Sequence, residues 1–164
     1  MQGLWGHKNV DWLNVNPDVN VLVGINGSGK TTLMNIMYAY YTNDTKELRK
    51  YKYQEIQGVP LRKSINARTE YFHQAGDVLH LEQLSSGEKQ LLLILLKVFL
   101  LDKKPAIIFM DELEISLHIR WQREIIDRMR QINPFCQIII ATHSPSMFGT
   151  GWGDKVVYME DIIK

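Results

Sequence analysis

Apolar residues along this chain come in short continuous runs separated by longer stretches of helical spacing. Val19 to Val23 is a compact apolar run after the turn signal Asn16-Pro17-Asp18, and it reads as a buried strand. Lys30 to about Tyr41 is apolar nearly all round, which predicts a well-buried helix. Leu91 to Leu101 is almost wholly apolar, and Ala106 to Met110 and Gln137 to Ala141 are further continuous runs of the kind found in parallel strands covered on both faces. Between those two, Leu117, Trp121, Ile125 and Met129 recur four apart as a core-facing stripe, and Glu124 and Arg128 pair on the outer side. Asn133-Pro134 ends that helix, and Lys155 to Met159 is a last strand. Strand and helix thus alternate, which predicts an α/β fold with a mainly parallel central sheet and right-handed crossovers.

Two stretches are less regular. Trp5 to Val15 alternates patchily, with Val10, Trp12 and Asn14 on one parity, and predicts a strand or hairpin. Thr42 to about Arg68 is polar and weakly patterned; from Lys46 to Arg68 it holds seven Lys/Arg against two Glu. Glu70 to Gln74 and Val78 to Leu81 read as short strands around the turn Ala75-Gly76-Asp77.

Length and composition narrow the picture. With 164 residues a single domain spanning 1–164 is expected. The net charge of +1 carries no whole-chain basic field of a dedicated nucleic-acid binder. The lone Cys136 allows no internal disulfide and suits a reducing compartment, and no basic-then-apolar signal pattern opens the chain, so a cytoplasmic location is expected. The Leu91–Leu101 run is interrupted by Lys97 and falls well short of the roughly 20 residues of a membrane span; it predicts a buried core helix and no membrane association.

Four segments carry candidate chemistry. Gly24-x4-Gly29-Lys30-Thr31 is a P-loop pattern placed after a strand and before a helix. Its glycines let backbone N–H groups turn inward around a phosphate, the helix start adds its positive dipole end, Lys30 reaches β and γ oxygens, and the Thr31 hydroxyl suits Mg²⁺. Asp111 closes an apolar strand, so its carboxylate lies at the strand's C-terminal edge, where it would hold Mg²⁺ through water. Glu112 follows as the base or orienter of an attacking water, and Glu114 reads as a supporting residue. Ser85-Ser86-Gly87-Glu88 is a capping box that starts the long apolar helix, and a capped helix start with glycine in its first turn suits an anion. His143 follows the strand expected beside that of Asp111, so it would face the γ-phosphate.

Taken together, G-I-N-G-S-G-K-T (Gly24 to Thr31), L-S-S-G-E (Leu84 to Glu88), I-I-F-M-D-E (Ile107 to Glu112) and A-T-H-S (Ala141 to Ser144) resemble the ATP-binding-cassette ATPase superfamily, in its non-transporter branch with SMC and RecF-like heads. Asp111 to His118, Trp121 to Arg123 and Ala141 to Pro145 are similar to bacterial AAA-type ATPases of Septu-like and retron-associated antiphage systems and of OLD-family nucleases. The resemblance implies a three-layer P-loop NTPase fold with a small N-terminal antiparallel β part and a reduced helical subdomain. It implies ATP binding by Gly24 to Thr32 (Asn26, Gly27, Ser28, Gly29, Lys30, Thr31 and Thr32 among them), Mg²⁺ at Thr31 and Asp111, and hydrolysis through Glu112 with Lys30 and with His143 sensing the γ-phosphate.

The same resemblance places Ser85, Ser86 and Gly87 on the nucleotide of a second subunit, in a head-to-tail homodimer, and expects a Q-loop glutamine. Gln74 fits that role best; Gln54 and Gln57 are the other candidates. It implies a partner effector such as a nuclease, and DNA, with a role in DNA repair or antiphage defence. The alternatives are an ATP-gated interaction module with negligible turnover and, less favoured, a transporter's nucleotide-binding subunit. Leu113 stands where the family often has proline, and the short interval from Lys30 to Leu84 predicts a minimal or trimmed member.

Overall fold

A computed structural model describes residues 1–2, 4, 8–12, 14–51, 84–115, 117–144 and 151–164. Its strands are β1 (Val19–Val23), β2 (Ala106–Asp111), β3 (Cys136–Thr142) and β4 (Val156–Tyr158), and its helices are α1 (Lys30–Thr42), α2 (Thr45–Leu48), α3 (Ser86–Leu100), α4 (Ile119–Ile132) and α5 (Met159–Ile162). Among the described residues the strands form one sheet in the order β2-β3-β1-β4, every pairing parallel. The expected α/β architecture with a parallel central sheet is therefore present.

The register explains why the apolar runs are continuous. β3 lies between β1 and β2, with Ile138 opposite Val19 on one side and Ile108 on the other, and all seven of its residues are buried. Ile138 and Ile140 point into a core built with Val98, Leu117, Ile125, Ile126 and Met129, on the side of α3 and α4. Ile139 and Ala141 point into a second core with Leu22, Leu33, Met34, Ile36 and Met159, on the side of α1 and α5. A strand with helices on both faces has no solvent side, so alternation disappears from its sequence.

Helix α4 follows its stripe, with Ile125 and Met129 fully buried and Leu117 buried just ahead of it. Glu124 and Arg128 form the expected pair at 3.0 Å. His118 caps its start, its Nδ1 accepting from the Arg120 amide at 3.3 Å. Two buried amides brace the sheet's opposite end. The Asn20 side chain exchanges hydrogen bonds with the Asn16 backbone at 2.8 Å, and Asn133 donates to the Lys104 carbonyl at 3.0 Å.

The structure departs from the expected elements in three places. Helix α3 is not a buried core helix. Gly87 and Val98 are its buried residues, whereas Leu93 is 45% and Phe99 66% exposed. Its apolar residues surround the helix, but only the stripe facing α4 and the sheet, with Leu91, Ile94 and Leu95, packs against the core. Tyr38 likewise leaves α1 half-exposed, its ring edge-on to Phe109.

Among the described residues of the stretch 5–15, Val10 bridges antiparallel to Ile163, and Asn9 and Lys164 exchange backbone hydrogen bonds at 2.8 Å. Leu4 and Lys8 form a separate antiparallel bridge, so the small antiparallel part is closed by the chain's last residues. The last strand is shorter than expected, because Met159 begins α5. The expected strands at 70–74 and 78–81, the helical subdomain and Gln54, Gln57 and Gln74 lie outside the described residues.

Burial decides what substitutions here should cost. Ile139→Ala, at the centre of the sheet, is expected to cost about 2–5 kcal/mol, whereas Phe99→Ala should stay within about 0.5 kcal/mol. Denaturant midpoints of the two variants check this, and equal losses would contradict the exposed position of α3.

Candidate active site

The order of strands brings three loops to one edge of the sheet. The loop after β1 carries Gly24 to Gly29, the turn after β2 carries Glu112 to Ile115, and the residues after β3 carry His143 and Ser144. Gly27 and Gly29 have φ of 78° and 96°, a left-handed conformation that glycine adopts without a Cβ penalty. Gly29 stands at the start of α1, where no side chain caps the helix and no acidic residue occupies the first turn. The first-turn amides and the positive end of the helix dipole therefore meet no protein carboxylate of their own helix. Gly24 is held differently. A Cβ there would lie 2.6 Å from Ser28 Oγ and 3.0 Å from Met159 Cβ, so the loop is packed tightly onto α5.

A hollow of about 500 Å³ opens at this edge, lined by Asn26, Gly27, Gly29, Lys30, Thr31, Thr32, Glu112 and His143. Lys30 is 4% exposed. Its ammonium donates to the Gly24 carbonyl at 2.7 Å and the Ile25 carbonyl at 3.0 Å, and it lies 3.2 Å from His143 Nδ1. An ammonium can only donate, so Nδ1 accepts and the ring proton sits on Nε2. That Nε2 is 3.2 Å from Glu112 Oε1 and donates to it. A continuous polar chain thus runs Lys30–His143–Glu112 across the hollow.

Burial lowers the Lys30 pKa below the usual lysine value, and the carboxylates of Glu112, Asp111, Glu114 and Glu160 oppose that shift. Glu112 adopts φ 49°, unusual for a residue with a Cβ; such a conformation costs about 1–2 kcal/mol. Its amide still donates to the Ala141 carbonyl at 3.0 Å, which fixes the turn against β3.

Asp111 ends β2 opposite Ala141, exposed at the sheet edge and within the electrostatic reach of Lys30. Its walls belong to a different hollow, of about 550 Å³, between α3 and β2. Ser85, Ser86 and Gly87, at the start of α3, are not among the residues that line the Lys30 hollow. The capping box there is complete: Glu88 accepts from the Ser85 amide at 2.8 Å, and Ser85 Oγ accepts from the Glu88 amide at 3.3 Å. The Ser85 hydroxyl, which also donates to the Glu88 carboxylate, and then the Ser85 amide hold that carboxyl below its usual pKa.

A further set of residues, of which the sequence points only to Glu114 as a supporting residue, stands behind the site. Glu114, Gln122, Thr142 and Ser144 form a polar cluster directly behind His143. Thr142 and Ser144 flank the histidine in A-T-H-S and Glu114 reads from the sequence as a supporting residue, but nothing in the spacing points to Gln122.

The profile of the family described as "AAA domain, putative AbiEii toxin, Type IV TA system" matches residues 38–148, about two-thirds of the chain. The chain belongs to this AAA family. The P-loop lies just before the matched segment, so the cradle described above is an independent observation of the same architecture. Among known proteins, the chain is similar to Septu protein PtuA of Bacillus mycoides (strain KBAB4), 30% identical over 99 residues, which is 56% of this chain and 14% of that protein.

It is also 26% identical over 98 residues to the Retron Vc95 probable ATPase of Vibrio cholerae serotype O1 biovar El Tor, covering 53% of this chain and 19% of that one. DNA repair protein RecN of Rickettsia typhi (strain ATCC VR-144 / Wilmington) matches at 36% over 67 residues, 40% and 12% of the two chains. The chain spans a fifth or less of the length of these curated relatives. The AAA domain implies nucleotide binding, in agreement with the P-loop cradle. Among the described residues no helix is long and apolar enough to cross a membrane.

The close packing of Gly24 generates a test of the loop itself. Gly24→Ala should lower stability by about 1–3 kcal/mol, the range for overpacking a filled site, read as a fall in the denaturation midpoint. An unchanged midpoint would show that α5 does not press on the loop as described.

Proposed function

We propose that this chain binds ATP with Mg²⁺ and hydrolyses it. The polar chain Lys30–His143–Glu112 across a glycine-built phosphate cradle is the observation that carries this reading. Phosphoryl transfer is catalysed mainly by positioning and by neutralising charge. The triphosphate would lie over the amides of Gly27 to Thr32, with its β and γ oxygens competing with the Gly24 and Ile25 carbonyls for the Lys30 ammonium. Glu112 would orient the attacking water and receive its proton. His143, neutral and donating from Nε2, would hold Glu112 in place and turn to the γ-phosphate.

Mg²⁺ fits the donors present. It usually keeps several waters and shares substrate phosphates with one or two protein oxygens, and the Thr31 hydroxyl and Asp111 carboxylate would be those oxygens. When bound it would neutralise charge on the β and γ oxygens.

The homodimer belongs to the same proposal. Ser85, Ser86 and Gly87 do not line the Lys30 hollow, although they form a rigid, capped helix start suited to an anion. Meeting the phosphate of a second copy would give that feature a ligand. Hydrolysis would then reset the dimer and gate a partner effector, such as a nuclease, or DNA, in the antiphage or DNA-repair setting that the sequence resemblance implies.

Substitutions at this site separate binding from turnover. Lys30→Ala should abolish ATP binding measured by calorimetry. Glu112→Gln should keep ATP and slow turnover about 100-fold or more, the scale for removing a contact made in the transition state. Unchanged turnover in Glu112→Gln would reject Glu112 as the base.

Light scattering of Glu112→Gln should show a monomer that becomes a dimer only with ATP and Mg²⁺. A monomer that holds ATP would reject the self-sufficient homodimer. Turnover that stays barely detectable with every partner would favour a module read out by its shape alone.

A further inference from the structure

Behind the Lys30–His143–Glu112 chain lies a cluster that ties the turn after β2 to the residues after β3. Glu114 Oε1 accepts from the Thr142 hydroxyl at 2.8 Å and from the His143 amide at 2.6 Å. The Thr142 hydroxyl in turn accepts from the Ser144 amide at 2.9 Å. Gln122, buried in α4, donates to the Leu117 carbonyl at 2.7 Å and the Glu114 carbonyl at 3.3 Å, and its Oε1 accepts from the Ser144 hydroxyl at 3.3 Å. Glu114 thus holds both the backbone of His143 and the residue before it, and Gln122 holds the backbone of Glu114 and the residue after His143.

We propose that Glu114 is a positioning residue that locks His143 to the Glu112 turn, so that the histidine ring and the water-orienting carboxylate move as one unit. The inference rests on the ATPase reading above. Three observations support it. A carboxylate accepting from a backbone amide and a hydroxyl makes stronger hydrogen bonds than a neutral acceptor would. Thr142 is fully buried, which leaves its hydroxyl no competing water. Glu112 sits in a left-handed conformation that must be held from outside, and its own amide is anchored on the same strand end, at Ala141.

Glu114 stands three residues after Asp111, across the turn, and touches His143 only through its backbone. Glu114 is not itself among the residues that line the phosphate hollow, and the lining residue it bonds is His143, through whose backbone it acts.

Three measurements on the full chain test this: ATP affinity, kcat, and the long-range proton–nitrogen NMR correlations of the His143 ring, assigned by their loss in His143→Asn. Glu114→Ala should leave ATP affinity near that of the parent chain. It should lower kcat by about 10- to 100-fold, the scale for misplacing a catalytic group by about 1 Å. The ring correlations should change from a single Nε2–H tautomer to a mixture. Glu114→Gln should largely restore both kcat and the ring pattern, because the amide oxygen can accept the same two hydrogen bonds.

If Glu114→Ala does not fold, Thr142→Val keeps the shape and removes the hydroxyl link, and the same changes are expected. Parental kcat and an unchanged ring pattern in either variant would overturn the proposal. If the parent chain itself does not hydrolyse ATP, the ATPase reading fails, and the ring pattern alone decides the role of Glu114.

Discussion

The parallel pairing of β3 between β1 and β2 is the constraint on which the site depends. Its register puts Val23 opposite Thr142 and Asp111 opposite Ala141, so the three strands end nearly level. Level ends place the P-loop, the Glu112 turn and His143 side by side at one edge. Opening of strand ends at a common edge is what makes such edges the usual ligand sites of α/β sheets. The pairing is secured by burial on both faces: β3 contributes Ile138 and Ile140 to one core and Ile139 and Ala141 to the other. A shift of one residue in this strand would exchange the two faces and would also carry His143 away from Lys30.

Electrostatics then sets the character of the edge. Lys30 is a nearly buried cation, which burial alone would disfavour, and the carboxylates of Glu112, Asp111 and Glu114 around the end of β2, with Glu160 of α5, counter that cost. Its ammonium has three donors, and two carbonyls and the His143 ring accept all three. The same arrangement forces the histidine tautomer and so the direction of the bond to Glu112. A lysine, a histidine and a glutamate thus form one hydrogen-bonded unit whose members come from the start of α1, the end of β3 and the turn after β2.

The exposed apolar face of α3 belongs to a different layer of the argument. Leu93 and Phe99 show that a helix apolar on all sides is not thereby buried. Burial needs a partner on each side, and the described elements supply one for a single stripe, toward α4 and the sheet. The capping box at the start of the same helix depends on four consecutive residues and nothing else, and it formed as expected. Local and tertiary determinants thus separate cleanly within one element.

Several features were decided by the sequence alone. The β1 run, the glycine loop, the start of α1, the stripe of α4 and the Glu124–Arg128 pair each follow from neighbours a few residues apart, where spacing translates directly into geometry. The parallel sheet was legible because continuous apolar strands are what burial on both faces requires. Tertiary structure decided the rest. Gln122 joins the site, and Glu114, a supporting residue by sequence, finds its partners, because the turn after β2 and the first turns of α4 fold back against the end of β3. The antiparallel partner of Val10 proved to be Ile163, more than 150 positions along the chain. Pairings of that kind are set by which surfaces remain to be covered after the sheet has formed, and no local spacing records them.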